Sequence, residues 1–184
     1  MENNLIICGS GGQGVLLAGT VLCYAGLKEN KNVTWLPSYG AEKRGGLSYC
    51  AVVISDDPVL SPVISRPSVI IALDNIGFDT YENTLVEKGM IIINTTLILR
   101  GSKRKDARVF PVPITQIARE MGNVRIANMV ALGVYLGKTG VLKIDSAIAA
   151  LDDVASSKYK DLVMINKQAL EKGFQIGSLK EKRG

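Results

Sequence analysis

The chain reads as short runs of wholly apolar residues, each closed by a polar break, rather than as an alternation of apolar and polar positions. Leu5-Ile6-Ile7-Cys8, Ala51-Val52-Val53-Ile54, Val69-Ile70-Ile71-Ala72-Leu73 and Met90-Ile91-Ile92-Ile93 are too short for ordinary helices and too continuous for half-buried strands. They predict strands buried on both faces, the pattern of a mainly parallel sheet covered by helices. The first run is followed at once by Gly9-Ser10-Gly11-Gly12-Gln13-Gly14, and then by an almost wholly apolar helix from Val15 that breaks near Gly26 or over 28–30. A second strand is expected over 33–36, ended by Pro37, and a third over 47–55, closed by Asp56-Asp57-Pro58.

Pro58, Pro62 and Pro67 punctuate an extended connection into a fourth strand over 69–73. A short helix over 78–88 stops at Gly89, a fifth strand covers 90–94, and a short sixth covers 109–112. Helices follow over 113–121, 128–138, 145–154 and 158–172, with Asp145 as an N-cap and Gly173 just past a helix end. The last dozen residues lack periodicity. The expected fold is α/β: a single three-layer α/β/α domain over 1–175 with a mostly parallel sheet of about six strands, followed by a flexible tail over 176–184.

Composition changes this picture little. The 184 residues, 47% hydrophobic and 21% charged, suit one globular domain. The net charge of +5 is concentrated around Lys103-Arg104-Lys105 and in the tail Lys180-Glu181-Lys182-Arg183. No aromatics interleave with these charges, which argues against a nucleic-acid surface. Neither a basic leader nor an apolar run of spanning length is visible, so a cytoplasmic protein with no membrane association is expected. Cys8, Cys23 and Cys50 are odd in number and far apart, which fits buried small hydrophobes better than a disulfide framework or a metal site. The chain has no histidine, which removes the commonest general base, and no catalytic or metal-ligating residue is assigned.

Two loops carry candidate chemistry. Gly9, Gly11 and Gly14 match G-x-G-x-x-G between a strand and a helix, a spacing that permits a tight turn, backbone approach to a phosphate and close helix packing. Gly12 adds a fourth glycine and Gln13 an amide able to donate to an oxyanion. The same residues would also serve as a plain βα turn with no ligand. In the second loop, Tyr39-Gly40-Ala41-Glu42-Lys43-Arg44-Gly45-Gly46, Arg44 offers a rigid donor fork for phosphate or carboxylate. Glu42 can orient that fork, and Gly45 and Gly46 admit close backbone approach. An ordinary charged surface turn would read the same way. In an open parallel sheet both loops line one crevice.

The combination of Gly11-Gly12-Gln13-Gly14, Ser38-Tyr39-Gly40-x-Glu42-x-Arg44-Gly45-Gly46, Ser61-Pro62, Ala72-Leu73-Asp74, Thr115 to Ala118 and Asn128-Met129-Val130-Ala131-Leu132-Gly133 resembles the gamma subunit of 2-oxoacid:ferredoxin oxidoreductases over nearly the whole chain. The likeness is greatest to small gamma subunits of the 2-oxoglutarate type, with pyruvate, branched-chain 2-oxoacid and indolepyruvate relatives close behind, and Ser68 departs from the aspartate expected before the fourth strand. The resemblance implies alpha and beta partner subunits, with a ferredoxin-like delta subunit in some complexes. Thiamine diphosphate, magnesium and iron–sulfur clusters would sit on those partners and not on this chain. It further implies that Gly9, Gly11, Gly12, Gln13, Gly14, Arg44, Gly45 and Gly46 hold coenzyme A, while Tyr39 and Glu42 contact ligand or partner; the alternative is that Glu42 and Arg44 hold subunits together instead. Two rivals stay open from the residues alone. A nicotinamide-binding oxidoreductase would want an acidic residue at the end of the second strand, where Trp35-Leu36-Pro37-Ser38 stands. In a non-enzymatic scaffold the glycines would serve packing only.

Overall fold

The structure is a computed structural model that describes residues 2–39, 46–154 and 160–179. Six strands form one sheet in the order β2-β3-β1-β4-β5-β6: β1 (Glu2–Ser10), β2 (Asn32–Tyr39), β3 (Leu47–Ser55), β4 (Val69–Ala72), β5 (Met90–Asn94) and β6 (Arg108–Val112). β1, β4, β5 and β6 pair in parallel, whereas β3 runs antiparallel between β1 and β2. The continuous apolar runs are the central strands: every residue of β4 and of β5 is buried, as a sheet covered on both faces requires.

Six helices are present among the described residues: α1 (Val15–Lys28), α2 (Asn75–Tyr81), α3 (Ile114–Glu120), α4 (Ala127–Thr139), α5 (Ile144–Val154) and α6 (Lys160–Ser178). The expected α/β fold holds, with the helices shared unequally between the two faces. The larger core joins Leu5, Ile7, Val52, Ile71 and Ile92 of the sheet to α1, α3, α4, α5 and α6. The smaller one joins Ile6, Ile70, Ile91 and Ile93 to Phe78 of α2, with Leu85 and Ile98 from coil.

Several boundaries differ from those read in the sequence. Pro37 does not end the second strand; it pairs with Cys50 inside β2, which is tolerated because β2 is an edge strand whose other side makes no ladder. The helix expected over 78–88 begins at Asn75, because the Asp74 side chain accepts from the Gly77 amide as an N-cap, and it tightens into a 3₁₀ turn over Glu82–Thr84. Asp145 lies within the first turn of α5 rather than ahead of it. Ser68, the departure noted above, clips the start of β4 to β1: its amide donates to Asn4 Oδ1 at 2.7 Å and its hydroxyl to the Asn4 carbonyl at 2.6 Å.

The largest difference concerns Gly173, which is not a helix stop but sits inside α6, and the helix runs on to Ser178. Gly133 and Gly137 of α4 face Gly173 and Gly177 of α6, and each brings backbone against backbone. A Cβ at Gly173 would lie 2.1 Å from the Val130 carbonyl oxygen, and one at Gly133 would lie 2.1 Å from that of Leu170. The small-xxx-small spacing on both helices lets their axes approach far closer than ordinary side chains allow, so packing overrides the poor helix propensity of glycine.

The basic stretch near residue 104 is mostly consumed internally. Glu82, 2% exposed, accepts from the Ser102 hydroxyl and the Lys103 amide and pairs with Arg100 at 2.9 Å. Arg100 also contacts Asp79 and lies over the Phe78 ring at 4.1 Å. Arg104 pairs with Asp106 and donates to the carbonyls of Leu85 and Val86. No helix is long and apolar enough to cross a membrane among the described residues.

Candidate ligand site

The glycine turn leaves the carboxyl end of β1, where ligands of open α/β sheets are bound. Its conformation needs glycine at two positions, since Gly12 has φ +100° and Gly14 has φ +74°. Gln13 stabilises the turn from within: its Oε1 accepts the Ser10 amide at 2.8 Å while its backbone N–H donates to the Ser10 carbonyl at 3.2 Å. That fixes the oxygen of Gln13 inward, so only its NH₂ remains to serve a ligand. Gly9 presses against Gln13 and Leu73, which gives it a packing role. Gly14 presses against Asn128, whose Nδ2 donates to the Gly14 carbonyl at 2.9 Å and ties the start of α1 to α4. On the other side, Ser10 donates its hydroxyl to Asp74, and Gly77 lets α2 approach the backbone of Cys8 and Gly9.

These ties leave part of the turn open. Gly14 stands at the N-cap of α1, no side chain caps that end, and a Cβ at Gly12 would meet nothing within 4 Å. The helix start therefore offers uncapped amides to an anion. Beneath them lies a pocket of about 200 Å³ lined by Gly12, Gln13, Leu73, Asn94, Thr115 and Arg125, with Leu97, Val124 and Ala127 adding apolar wall. Asn94, 1% exposed, donates to the Leu73 carbonyl and to Thr115 Oγ1 and accepts the Thr115 amide, which fixes the floor of the pocket. Arg125, in a 3₁₀ turn over Val124–Ile126, is exposed, and its guanidinium pairs with no acidic group among the described residues.

The second loop meets the first. β2 runs parallel to β1, and Gly46 at the entry to β3 accepts the Gly11 amide at 2.9 Å. The strand ends that flank the second loop thus lie at the same sheet edge as the first turn, although β3 intervenes between β2 and β1 and the Gly11 amide is spent on this bond. Glu42, Arg44 and Gly45 lie outside the described residues, as does the side chain of Tyr39. The pocket instead brings in Asn94, Thr115 and Arg125, while Asn128 holds the turn through the Gly14 carbonyl. A lone Asn closing an apolar strand and another opening an apolar helix were the available signals in the sequence; nothing local distinguished Arg125 from other surface arginines.

The three cysteines are buried, and burial disfavours their thiolates. Burial first, and then the nearby Asp74 carboxylate, push the Cys8 thiol up, and burial raises Cys23 and Cys50 to about 12. No group of metal-ligating side chains occurs among the described residues.

Fold and site together define an α/β domain with an uncapped glycine turn at the carboxyl edge of its parallel strands. The family model for pyruvate ferredoxin/flavodoxin oxidoreductase matches residues 4–176, and the chain belongs to that family. It is 39% identical over 174 residues to the ketoisovalerate oxidoreductase subunit VorA of Methanothermobacter marburgensis, covering 94% of this chain and 36% of that protein. The chain thus spans about a third of the length of the VorA relatives it matches. It is 32% identical over 179 residues to the 2-oxoglutarate synthase subunit KorC of Methanocaldococcus jannaschii, covering 96% and 94% of the two chains. Among solved structures, a keto/oxoacid ferredoxin oxidoreductase gamma subunit from Geobacter sulfurreducens superposes with a TM-score of 0.83 at 28% identity over 95% of each chain. The likeness to gamma subunits read from the residues is borne out. A 2-oxoglutarate:ferredoxin oxidoreductase from Magnetococcus marinus, with 2-oxoglutarate, coenzyme A and succinyl-CoA bound, shares the fold at a TM-score of 0.88 and 20% identity, over 98% of this chain and 32% of that one.

Proposed function

We propose that this chain is the gamma component of a 2-oxoacid:ferredoxin oxidoreductase of the 2-oxoglutarate type, and that its glycine turn holds coenzyme A. The assembled enzyme converts a 2-oxoacid and coenzyme A to acyl-CoA and carbon dioxide, releases a proton, and passes both electrons to ferredoxin. Alpha and beta chains, with a ferredoxin-like subunit where present, carry the thiamine diphosphate, magnesium and iron–sulfur clusters. The carrying observation is the uncapped start of α1 behind Gly12 and Gly14, open toward a pocket at the carboxyl edge of β1, β4 and β5. That arrangement receives a diphosphate through backbone amides without any catalytic side chain.

The chemical part of this chain is positioning. A diphosphate fixed on the turn restricts where the distant thiol can travel and raises its effective concentration at the partner's reacting centre. Arg44 is the candidate second contact from the facing bend, with Gly45 and Gly46 admitting close approach and with Tyr39 and Glu42 at the partner or ligand. The match to the 2-oxoglutarate synthase subunit, and the coenzyme A carried by the Magnetococcus enzyme, support the reading. Ketoisovalerate is the second reading for the substrate, favoured by the 39% identity to VorA. A nicotinamide reading fits poorly: β3, antiparallel and opening with Leu47-Ser48-Tyr49, occupies the place beside β1 from which an acidic residue would reach a ribose.

Coexpression with candidate alpha and beta chains tests the assignment. A stable complex that decarboxylates 2-oxoglutarate in preference to ketoisovalerate is expected; a chain that stays monomeric with every candidate defeats it. Calorimetry of coenzyme A on that complex then tests the second bend, since an unchanged affinity in Arg44→Ala removes Arg44 from the site.

A further inference from the structure

We propose that the flank formed by α1 and the open edge of β2 pairs with a second copy of this chain, β2 running antiparallel to β2 across a two-fold axis. The observation behind it is a helix whose solvent side is as apolar as its core side. Gly19, Cys23 and Gly26 of α1 face the sheet: a Cβ at Gly19 would meet Cys50 and Trp35, one at Gly26 would meet Val33, and the Cys23 sulfur lies 3.8 Å from the Thr34 carbonyl oxygen. Ala18, Val21, Leu22 and Ala25 are buried to one side of that line. At about 100° per residue, Leu17, Thr20, Tyr24 and Leu27 fall on the other side, above the β2 edge. Leu17, Tyr24 and Leu27 are exposed, Leu27 by 56%. A surface helix ordinarily turns charged residues to water, yet α1 has none from Val15 to Leu27.

The strand beneath is equally unguarded. β2 carries no charged residue, although exposed sheet edges are ordinarily blunted by charge, and Pro37 removes only one donor from its outer side. Trp35 and Leu36 are exposed on opposite faces of that edge, since their ladder partners Val52 and Ala51 belong to opposite cores. Geometry selects a second copy as the occupant. α1 lies over β2 and β3, so pairing β2 with β2 sets the two copies of α1 two strand spacings apart, about 9.6 Å, which is the distance at which helices pack. Strand and helix layers therefore close together. Pairing of β2 with the opposite edge, β6, would run head to tail and leave open ends, whereas β2 with β2 closes as a dimer. The eight residues of β2 span about 27 Å, and strand plus helix stand about 15–20 Å high, so roughly 500 Å² of each copy is covered. The total of about 1,000 Å² meets the lower limit for a specific interface.

Sedimentation velocity on this chain tests the proposal. At tens of micromolar the mass is expected to be twice the 19.7 kDa of one chain, falling to a single chain on dilution, as an interface of this size implies. Trp35 is the only tryptophan, so its emission should shift to the blue over the same rise in concentration. Leu27→Glu and, separately, Leu36→Lys set like charges against each other across the axis and should give monomers with unchanged far-ultraviolet circular dichroism. Leu99→Glu, exposed in the connection between β5 and β6, should stay dimeric. A chain that sediments as a monomer at tens of micromolar overturns the proposal, and so does a dimer that survives both flank substitutions. A chain monomeric alone, whose flank variants lose the alpha or beta chain from the coexpressed complex, assigns the flank to that partner and also overturns it. Failure to assemble with alpha and beta chains leaves these masses unchanged, so the subunit assignment and the dimer fall separately.

Discussion

Replacing Gly173 with alanine tests the most unusual packing in the molecule, the backbone contact between α4 and α6. The added methyl would stand 2.1 Å from the Val130 oxygen and 2.9 Å from its carbon, against ordinary contacts of 3.4–4 Å. Neither atom can rotate away, because both belong to the α4 backbone, so the helices must separate by more than an ångström. Overpacking of this kind costs about 1–3 kcal/mol, and the rigidity of both partners places Gly173 at the upper end. Alanine returns about 1 kcal/mol of intrinsic helix preference. The net expectation is a loss of about 2 kcal/mol, a fall in Tm of about 4–8 °C for a chain of this size. Urea unfolding should show a lower midpoint with an unchanged slope. Gly101→Ala is the control: its methyl meets nothing within 4 Å, and it should be neutral or stabilising by less than about 1 kcal/mol. A Gly173→Ala protein that melts with the wild type, or above it, would show that the helices do not touch as described.

Two further outcomes follow from buried groups. The Glu82 carboxyl is disfavoured as an anion by burial, but its bonds to Ser102, Lys103 and Arg100 outweigh that and hold it below its ordinary 4.5. A carboxyl lowered in the folded state stabilises above its unfolded value, and this contribution disappears as pH falls through the folded one. Glu82→Gln should therefore lose about 2 kcal/mol at neutral pH and show a flatter stability profile below pH 4.5, whereas an unchanged acid limb in denaturant titrations would contradict the network. Cys8, Cys23 and Cys50 are buried thiols raised in pKa, so iodoacetamide near pH 8 should leave the native protein unlabelled and add three carbamidomethyl groups after unfolding, read by mass spectrometry. Rapid native labelling at any of them would mean that the sheet and α1 do not close over these positions.

What the amino-acid order settled by itself was local. Continuous apolar runs at 5–8, 51–54, 69–72 and 90–93 can satisfy their burial only as central strands, and the glycine spacing over 9–14 can follow a strand only as a tight turn into a helix. Tertiary contact decided the rest. Pro37 looks like a terminator until β2 is known to be an edge, and Gly173 looks like a helix stop until Gly133 is found opposite it. The antiparallel insertion of β3 pairs residues as far apart in the chain as Glu2 and Ser55, and the arrival of Arg125 beside Gly12 and Gln13 joins positions more than a hundred residues apart. Periodicity reports only on near neighbours, so the pocket became legible when the chain was folded.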